Sequence, residues 1–238
     1  MRRGIKRIVL YTFFLVCSAL ELDAQTIYFK EGFELGKKPD NWTEEAVEGN
    51  VPWRYRNGGY NPADPNLLTP PATYDVFRNP DRAKAGTYNS WFFTQGIGRE
   101  QTKLITPPMN LKFAVNPTLK FWLTLYEWRV ATGVNNDILR VYYKVGATGG
   151  WRLLQTYNFI QRTWRDFQIA LPSEALQKDV YIAFEGLSRW GMGVCLDEIT
   201  VEETGSLART LNEVVSEAVT NDAIPNGTSN NPILCTRL

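Results

Sequence analysis

Apolar and polar residues alternate along most of this chain. In "PTLKFWLTLYEW" (117–128), Leu119, Phe121, Leu123 and Leu125 fall on one side of an extended backbone. Period two is the signature of a half-buried strand. The same pattern runs through "TIYFKEGF" (26–33), "DILRVYYKV" (137–145), "WRLLQTYNF" (151–159), "WRDFQIALP" (164–172), "VYIAFEGL" (180–187) and "GVCLDEITVEE" (193–203). Turn-forming stretches separate these runs: "TGVNND", "GATGG", "LPSEALQKD" and "SRWGMG". With no long helical pattern between them, the expectation is an all-β sandwich of antiparallel sheets. Residues 36–103 differ. They are rich in Pro, Asn, Gly and aromatics, and predict long ordered loops with two or three short strands, "SWFFTQ" (90–95) among them. Loops of this kind on a rigid sandwich are where binding commonly resides.

The two ends break the pattern. "MRRGIKR", the apolar "IVLYTFFLVCSAL" and the cleavable "ELDAQ" make residues 1–25 a secretory signal peptide, with cleavage after Ala24. The apolar run is short for a membrane span. Val16 is a poor neighbour for an acylated Cys17, which argues against a lipid anchor. No second apolar run follows, so no transmembrane segment is expected. From about residue 205, Leu211, Val214, Val215, Ala218 and Val219 sit at helical spacing. "IPNGTSNNPILCTRL" then predicts a turn and one strand. The expected organisation is a signal peptide (1–25), a sandwich (26–204), and a linker with the incomplete start of a second module (205–238).

Charge narrows the function. Loss of Arg2, Arg3, Lys6 and Arg7 together with Glu21 and Asp23 takes the net charge from +1 to about −1. That is no footprint for nucleic acid. Two cysteines remain, Cys195 and Cys235. They are free to pair but imply no disulfide framework. Asn41 and Asn226 begin glycosylation sequons, to which little weight is given.

One strand holds an awkward residue. By parity Cys195, Asp197, Ile199 and Val201 share a face, so a carboxylate lies among apolar neighbours. Burying it requires a metal, hydrogen bonds or an opposite charge. Calcium, backbone amides and an arginine such as Arg189 are all open. Glu198 shares the face of Thr200 and Glu202 and is expected in solvent. At the other end, parity puts Glu31 with Ile27, Phe29 and Phe33, and so makes it the buried acid of "KEGFE".

The order of the motifs resembles the cleaved adhesin domains of secreted bacterial proteins, also called choice-of-anchor J domains and related to the MAM domain. The resemblance rests on "YFKEGFELGKKPDNW", "KLITPPMNL", "PTLKFWLTLYEW", "NNDILRVYYKV", "GGWRLLQTY", "WRDFQIALP" and "VYIAFEGLSRWGMGVCLDEITVEE", over roughly residues 27–203. It implies a MAM-like or galactose-binding-like jelly-roll β-sandwich and a non-catalytic adhesion or ligand-binding role. It also implies calcium near the junction of the first and last strands. Glu34 in "GFE" and Asp197 in "LDE" match the family's acidic positions, with Glu198 beside them. The family pattern thus points to Glu34 where parity points to Glu31, and a bulge at Gly32 would reconcile the two. Carbonyls of the 57–61 or 86–89 loops are expected to complete the shell. The tail resembles, over a short stretch, the domain that precedes sialidase-type repeats.

Catalysis finds little support. The chain has no histidine, which removes Ser-His-Asp and Cys-His chemistry and His-ligated zinc. A glycosidase needs only two carboxylates. "LDEITVEE" nevertheless lacks the Glu-x-Asp-x-x-Glu spacing of jelly-roll glucanases. Among eight tryptophans, Trp122, Trp151 and Trp164 lie in strand patterns and are expected to pack. Trp128, Trp190 and Tyr60 lie at or near loops and are the candidate ligand contacts, because flat rings stack on sugars or anchor protein interfaces. The expected protein is a calcium-stabilised, secreted or cell-surface module that binds an extracellular glycan or a host or matrix protein. The alternatives are a structural spacer beside a catalytic domain and, third, a glycoside hydrolase.

Overall fold

The computed structural model describes residues 23–67, 79–94, 99–130 and 133–206. Gln25–Thr204 form one compact unit. Residues 1–22 of the expected signal peptide, the expected second module beyond residue 206, and Cys235 lie outside the described residues.

The strands are β1 (Asp23–Glu31), β2 (Thr43–Glu48), β3 (Arg54–Arg56), β4 (Asn89–Phe92), β5 (Gln101–Ile105), β6 (Thr118–Leu125) and β7 (Trp128–Val130). They continue with β8 (Gly133–Asn135), β9 (Ile138–Val145), β10 (Arg152–Tyr157), β11 (Gln161–Ala170), β12 (Val180–Leu187) and β13 (Val194–Ser206). One sheet runs β11-β6-β13-β4-β3, with β1 also paired to β13; the other runs β10-β9-β12-β5-β2. The neighbours whose register is resolved pair antiparallel. The β7–β8 hairpin stands apart from both sheets. The chain therefore folds as an all-β jelly-roll sandwich, and the first strand lies against the last.

Leu119, Phe121, Leu123 and Leu125 all enter the core between the sheets, as their alternation requires. They meet Leu139 and Val141 of β9, and Ile182 and Phe184 of β12. Residues 36–103 contribute four strands rather than two or three, because β2 and β3 are short and polar and carry no clear alternation.

The sandwich has a further layer. Trp91 and Phe93 of the β4 segment join Tyr60, Met192 and Cys195 in a second buried cluster, whereas Phe92, Val194 and Leu196 belong to the main core. Alternate residues of β4 and β13 thus face two different interiors. The loops around 57–64 and 79–88 cover the outer face of this sheet. Trp164 holds that cover by donating to the Arg82 carbonyl (2.9 Å), and the Lys84 ammonium lies 4.0 Å from the Trp122 ring centroid.

Candidate functional site

β13 does not keep one parity. Its register against β6 shifts between Asp197 and Thr200, and Glu198 adopts φ 46°. This is a β-bulge whose extra residue sits in the left-handed region, which a non-glycine residue enters at a cost. Before the bulge, Cys195 and Asp197 face the covering loops. After it, Ile199 and Val201 face the inter-sheet core. The four residues therefore do not share a face. The carboxylate sits beneath the 79–88 loop rather than among core aliphatics.

Asp197 is fully buried. Its Oδ2 accepts from the amides of Lys84 (2.8 Å) and Ala85 (3.2 Å), and its Oδ1 from that of Glu198 (2.8 Å). Among the openings left by the sequence, backbone amides are the partners present. Arg189 is not one, since its amide binds Asp137. Burial pushes the Asp197 carboxyl up to about 7; the three amides oppose the shift and the nearby Glu198 adds to it.

Glu34 reaches the same loop from the other direction. Its Oε2 accepts from the Thr87 amide (2.8 Å). Gly86, at φ 56°, lies between these anchor points, and a Cβ there would overlap the Glu34 carboxylate. Glu198 approaches as well: its Oε1 would lie 2.8 Å from a Cβ on Gly32, whose other near neighbour is the Glu34 Cγ. Its Oε2 lies 3.8 Å from the Lys30 ammonium. Glu198 is thus half-buried beside Glu34 rather than simply in solvent. Glu31 is turned inward on its own chain, with Oε1 accepting from the Phe33 amide (2.5 Å). Phe33 adopts φ 60° and is buried, so the change of course comes one residue after Gly32.

Segment 84–87 is therefore held from two sides, by Asp197 at Lys84 and Ala85 and by Glu34 at Thr87, while Glu198 lies next to Asp197 and beside Gly32. These three carboxylates are hard oxygen donors of the kind calcium takes. Asp197 Oδ1 accepts one amide and Glu34 accepts through Oε2, so each carboxylate keeps lone-pair directions beyond these bonds. Among the described residues no three such side chains are arranged so that they could hold a metal ion. The residue types suit calcium, but their arrangement does not form a metal site, and amides occupy most of Asp197.

The candidate aromatic residues occupy the opposite kind of environment. Trp190 is 52% exposed and sits at φ 67° in the "SRWGMG" turn. Trp128 is half-buried and meets Tyr60 edge-on, with ring centroids 6.3 Å apart. Tyr60 is wholly buried against Phe93 and presents no ring face to solvent. It supports Trp128 from below. The Met192 amide donates to the Tyr126 carbonyl (2.8 Å), which places the Trp190 turn and the Trp128 hairpin at one end of the sandwich.

Asp137 is the residue that pattern reading passed over. It is buried, and its Oδ1 accepts from the amides of Arg189 (2.6 Å) and Gly191 (2.9 Å), its Oδ2 from that of Gly193 (2.9 Å). Burial raises its pKa, and those three amides oppose the rise. A side chain at Gly191 would strike Asp137 itself. The signal was present as an aspartate closing "TGVNND" and two glycines in "SRWGMG", but each looked like ordinary turn chemistry. Glu127 is similar. It is buried between Tyr126 and Trp128 and held by Arg162 Nε (2.9 and 3.1 Å) and Arg129 Nε (3.0 Å). Burial acts to raise its pKa, but the two arginines prevail and hold it low. Cys195 is a free buried thiol, pushed up to about 12 by burial, and is unsuited to nucleophilic work.

No protein-family model and no curated protein matches the sequence. Among solved structures, the fold is similar to the K1 cleaved adhesin domain of Lys-gingipain from Porphyromonas gingivalis, at 22% identity and TM-score 0.49, covering 76% of this chain and 99% of that one. It is similar to the K3 domain of the same protein at 18% identity and TM-score 0.48, covering 74% and 98%. The CBM22-1 xylan-binding domain of Paenibacillus barcinonensis follows at 13% identity and TM-score 0.41, covering 76% and 96%. At these identities the likeness is one of fold, and the family that the sequence motifs resemble is among the folds it meets.

Proposed function

We propose that this chain is an exported, non-catalytic binding module, stabilised by calcium, which presents the Trp190 end of its sandwich to an extracellular glycan or matrix protein. The observation that carries this reading is the setting of Trp190. A large ring stands in solvent on a backbone held in a costly conformation, and a buried carboxylate fixes that backbone with three hydrogen bonds. Strain maintained around an exposed aromatic is a mark of a binding position. The low conformational entropy of a fixed ring favours affinity.

Calcium is supported by Glu34 and Asp197 meeting one loop with Glu198 next to Asp197, where Lys30 is the only cation in salt-bridge range of these three acids among the described residues. A divalent ion held by these three carboxylates would supply the positive charge that burial of Asp197 calls for. The absence of histidine and the inert Cys195 favour binding over catalysis. A screen of glycans and extracellular matrix proteins with the wild type and Trp190→Ala tests the reading. Loss of a hit in the variant supports it. Silence of the wild type on both panels favours the spacer instead.

A further inference from the structure

Three segments meet at the Trp190 end: 126–137, of which 126–130 and 133–137 are described, 158–162 and 188–193. The Met192–Tyr126 bond and the Asp137 carboxylate join the first to the third, and Arg162 on Glu127 joins the second to the first. Their charges are one-sided. The acids in these segments are Glu127 and Asp137, and both are buried. Asp137 is spent on amides, and Glu127 is shared by two guanidiniums. Arg129, Arg162 and Arg189 are all exposed. Arg189 has no carboxylate partner among the described residues. Phe159, Ile160 and Trp190 stand exposed among them.

Resting on the reading of this end as a binding surface, we infer that its ligand is an anionic polysaccharide, one bearing carboxylate or sulfate groups. The arginine fork matches both anions in a bidentate way, while the Trp190 ring offers a flat apolar platform for a sugar face. The one-sided charge disfavours a neutral glycan as the preferred ligand. Size disfavours a protein: the eight exposed side chains that the described residues of these segments present, Val134 and Asn158 included, fall well short of the roughly 20–30 residues a side of a stable protein interface. The net charge near zero of the whole chain makes this a local feature rather than a general basicity.

The test is affinity electrophoresis of the purified full chain through gels containing heparin, polygalacturonate, or neutral dextran and xylan. Retardation is expected in one or both anionic gels, and the choice between them assigns sulfate or carboxylate. Raising salt from about 0.05 to 0.5 M is expected to weaken it severalfold, since the Debye length falls well below the reach of an exposed pair. Arg189→Ala and Trp190→Ala are each expected to weaken it about five- to tenfold, with unchanged melting curves because both side chains are exposed. Arg129→Ala serves as a further variant. Retardation by neutral polymers, independent of salt but lost in Trp190→Ala, would overturn the inference and leave the binding-module reading intact. No retardation in any gel, or anionic retardation indifferent to all three variants, also overturns it. Binding of a matrix protein through Trp190 would still preserve the broader reading.

Discussion

Asp137 and Asp197 are both buried aspartates that accept three backbone amides, three from the 189–193 turn for Asp137 and two from the 84–85 loop plus that of Glu198 for Asp197, yet they stand in opposite electrostatic settings. Around Asp137 the other acid, Glu127, is neutralised by two arginines, and the surface carries excess positive charge. Around Asp197 the like charge is Glu198, itself 3.8 Å from Lys30, and Glu34 holds the same loop at Thr87. The first carboxylate is a finished staple. The second is crowded by its own sign and gains from a cation. A buried acid is therefore interpreted from what surrounds it, not from its burial.

The sharpest way to break this contrast is to remove the staple. Asp137→Ala leaves three buried or half-buried amides without an acceptor, which costs about 3 kcal/mol or more. A fall in melting temperature of about 10 °C is expected for a domain of this size, with loss of any Trp190-dependent binding. Calcium and chelator should make no difference to that fall. A variant melting like the wild type would mean that the turn holds itself.

Asp197 should behave in the opposite way. At a hundredfold excess of free calcium over its dissociation constant, the ion stabilises the wild type by about 2.7 kcal/mol. Chelator should lower the melting temperature accordingly, and Asp197→Asn should lose most of that response. Identical melting curves with and without chelator would reduce Asp197 to a second staple, held by amides alone.

The two acids also show how far the sequence could be read. Strands such as β6 were legible because one face meets the core and the other is partly open, so alternation survives. β13 was legible as a strand but not in its facing. Both its sides are buried, one against the core and one against loops, so apolar residues fill both parities. The bulge at Glu198 then resets the phase, and no residue type announces it, since glutamate rarely adopts positive φ. Asp197 stood out as an acid among apolar residues of one strand, whereas Glu34 came from family resemblance, because parity pointed to Glu31. Asp137 escaped because its partners are amides 52 to 56 residues away, and backbone donors leave no trace in composition. Tyr60 looked like a loop aromatic for the same reason: the layer that buries it is built from residues 91–93 and 192–195, distant in the chain.

A finer test uses pH. Asp197 has a folded pKa near 7, against an ordinary value of 3.8. Between those values the folded protein binds more protons than the unfolded chain at this site. Its contribution therefore favours folding at acid pH and is lost as pH rises through about 7. In chelator, the slope of melting temperature between pH 5 and 7.5 should be more negative in the wild type than in Asp197→Asn. Calcium should flatten the difference, because a bound cation holds the carboxylate ionised. Glu127 contributes with the opposite sign: its pKa is lowered, so its stabilisation is present above the ordinary glutamate range and lost on acidification below it. The difference between wild type and variant cancels that background. An unchanged slope would show that the three amides already offset the burial of Asp197.

The smallest expected effect concerns its neighbour. Glu198→Gln keeps the bulge backbone and the amide that serves Asp197, and changes only a half-exposed charge 3.8 Å from Lys30. An exposed pair of that kind contributes about 0–1 kcal/mol, so in chelator the melting curve should hardly move. With calcium present, the outcome assigns the site. If Glu34 and Asp197 suffice, the calcium response stays nearly whole. If the bulge exists to turn Glu198 toward Gly32 and Glu34, the response falls by a sizeable part, although nothing has changed without the ion. Isothermal titration of calcium into both proteins reads this directly, as an equal or a weakened dissociation constant. A weakened constant would give the strained φ of Glu198 its physical reason; an equal one would leave the bulge as a device that serves Asp197 alone.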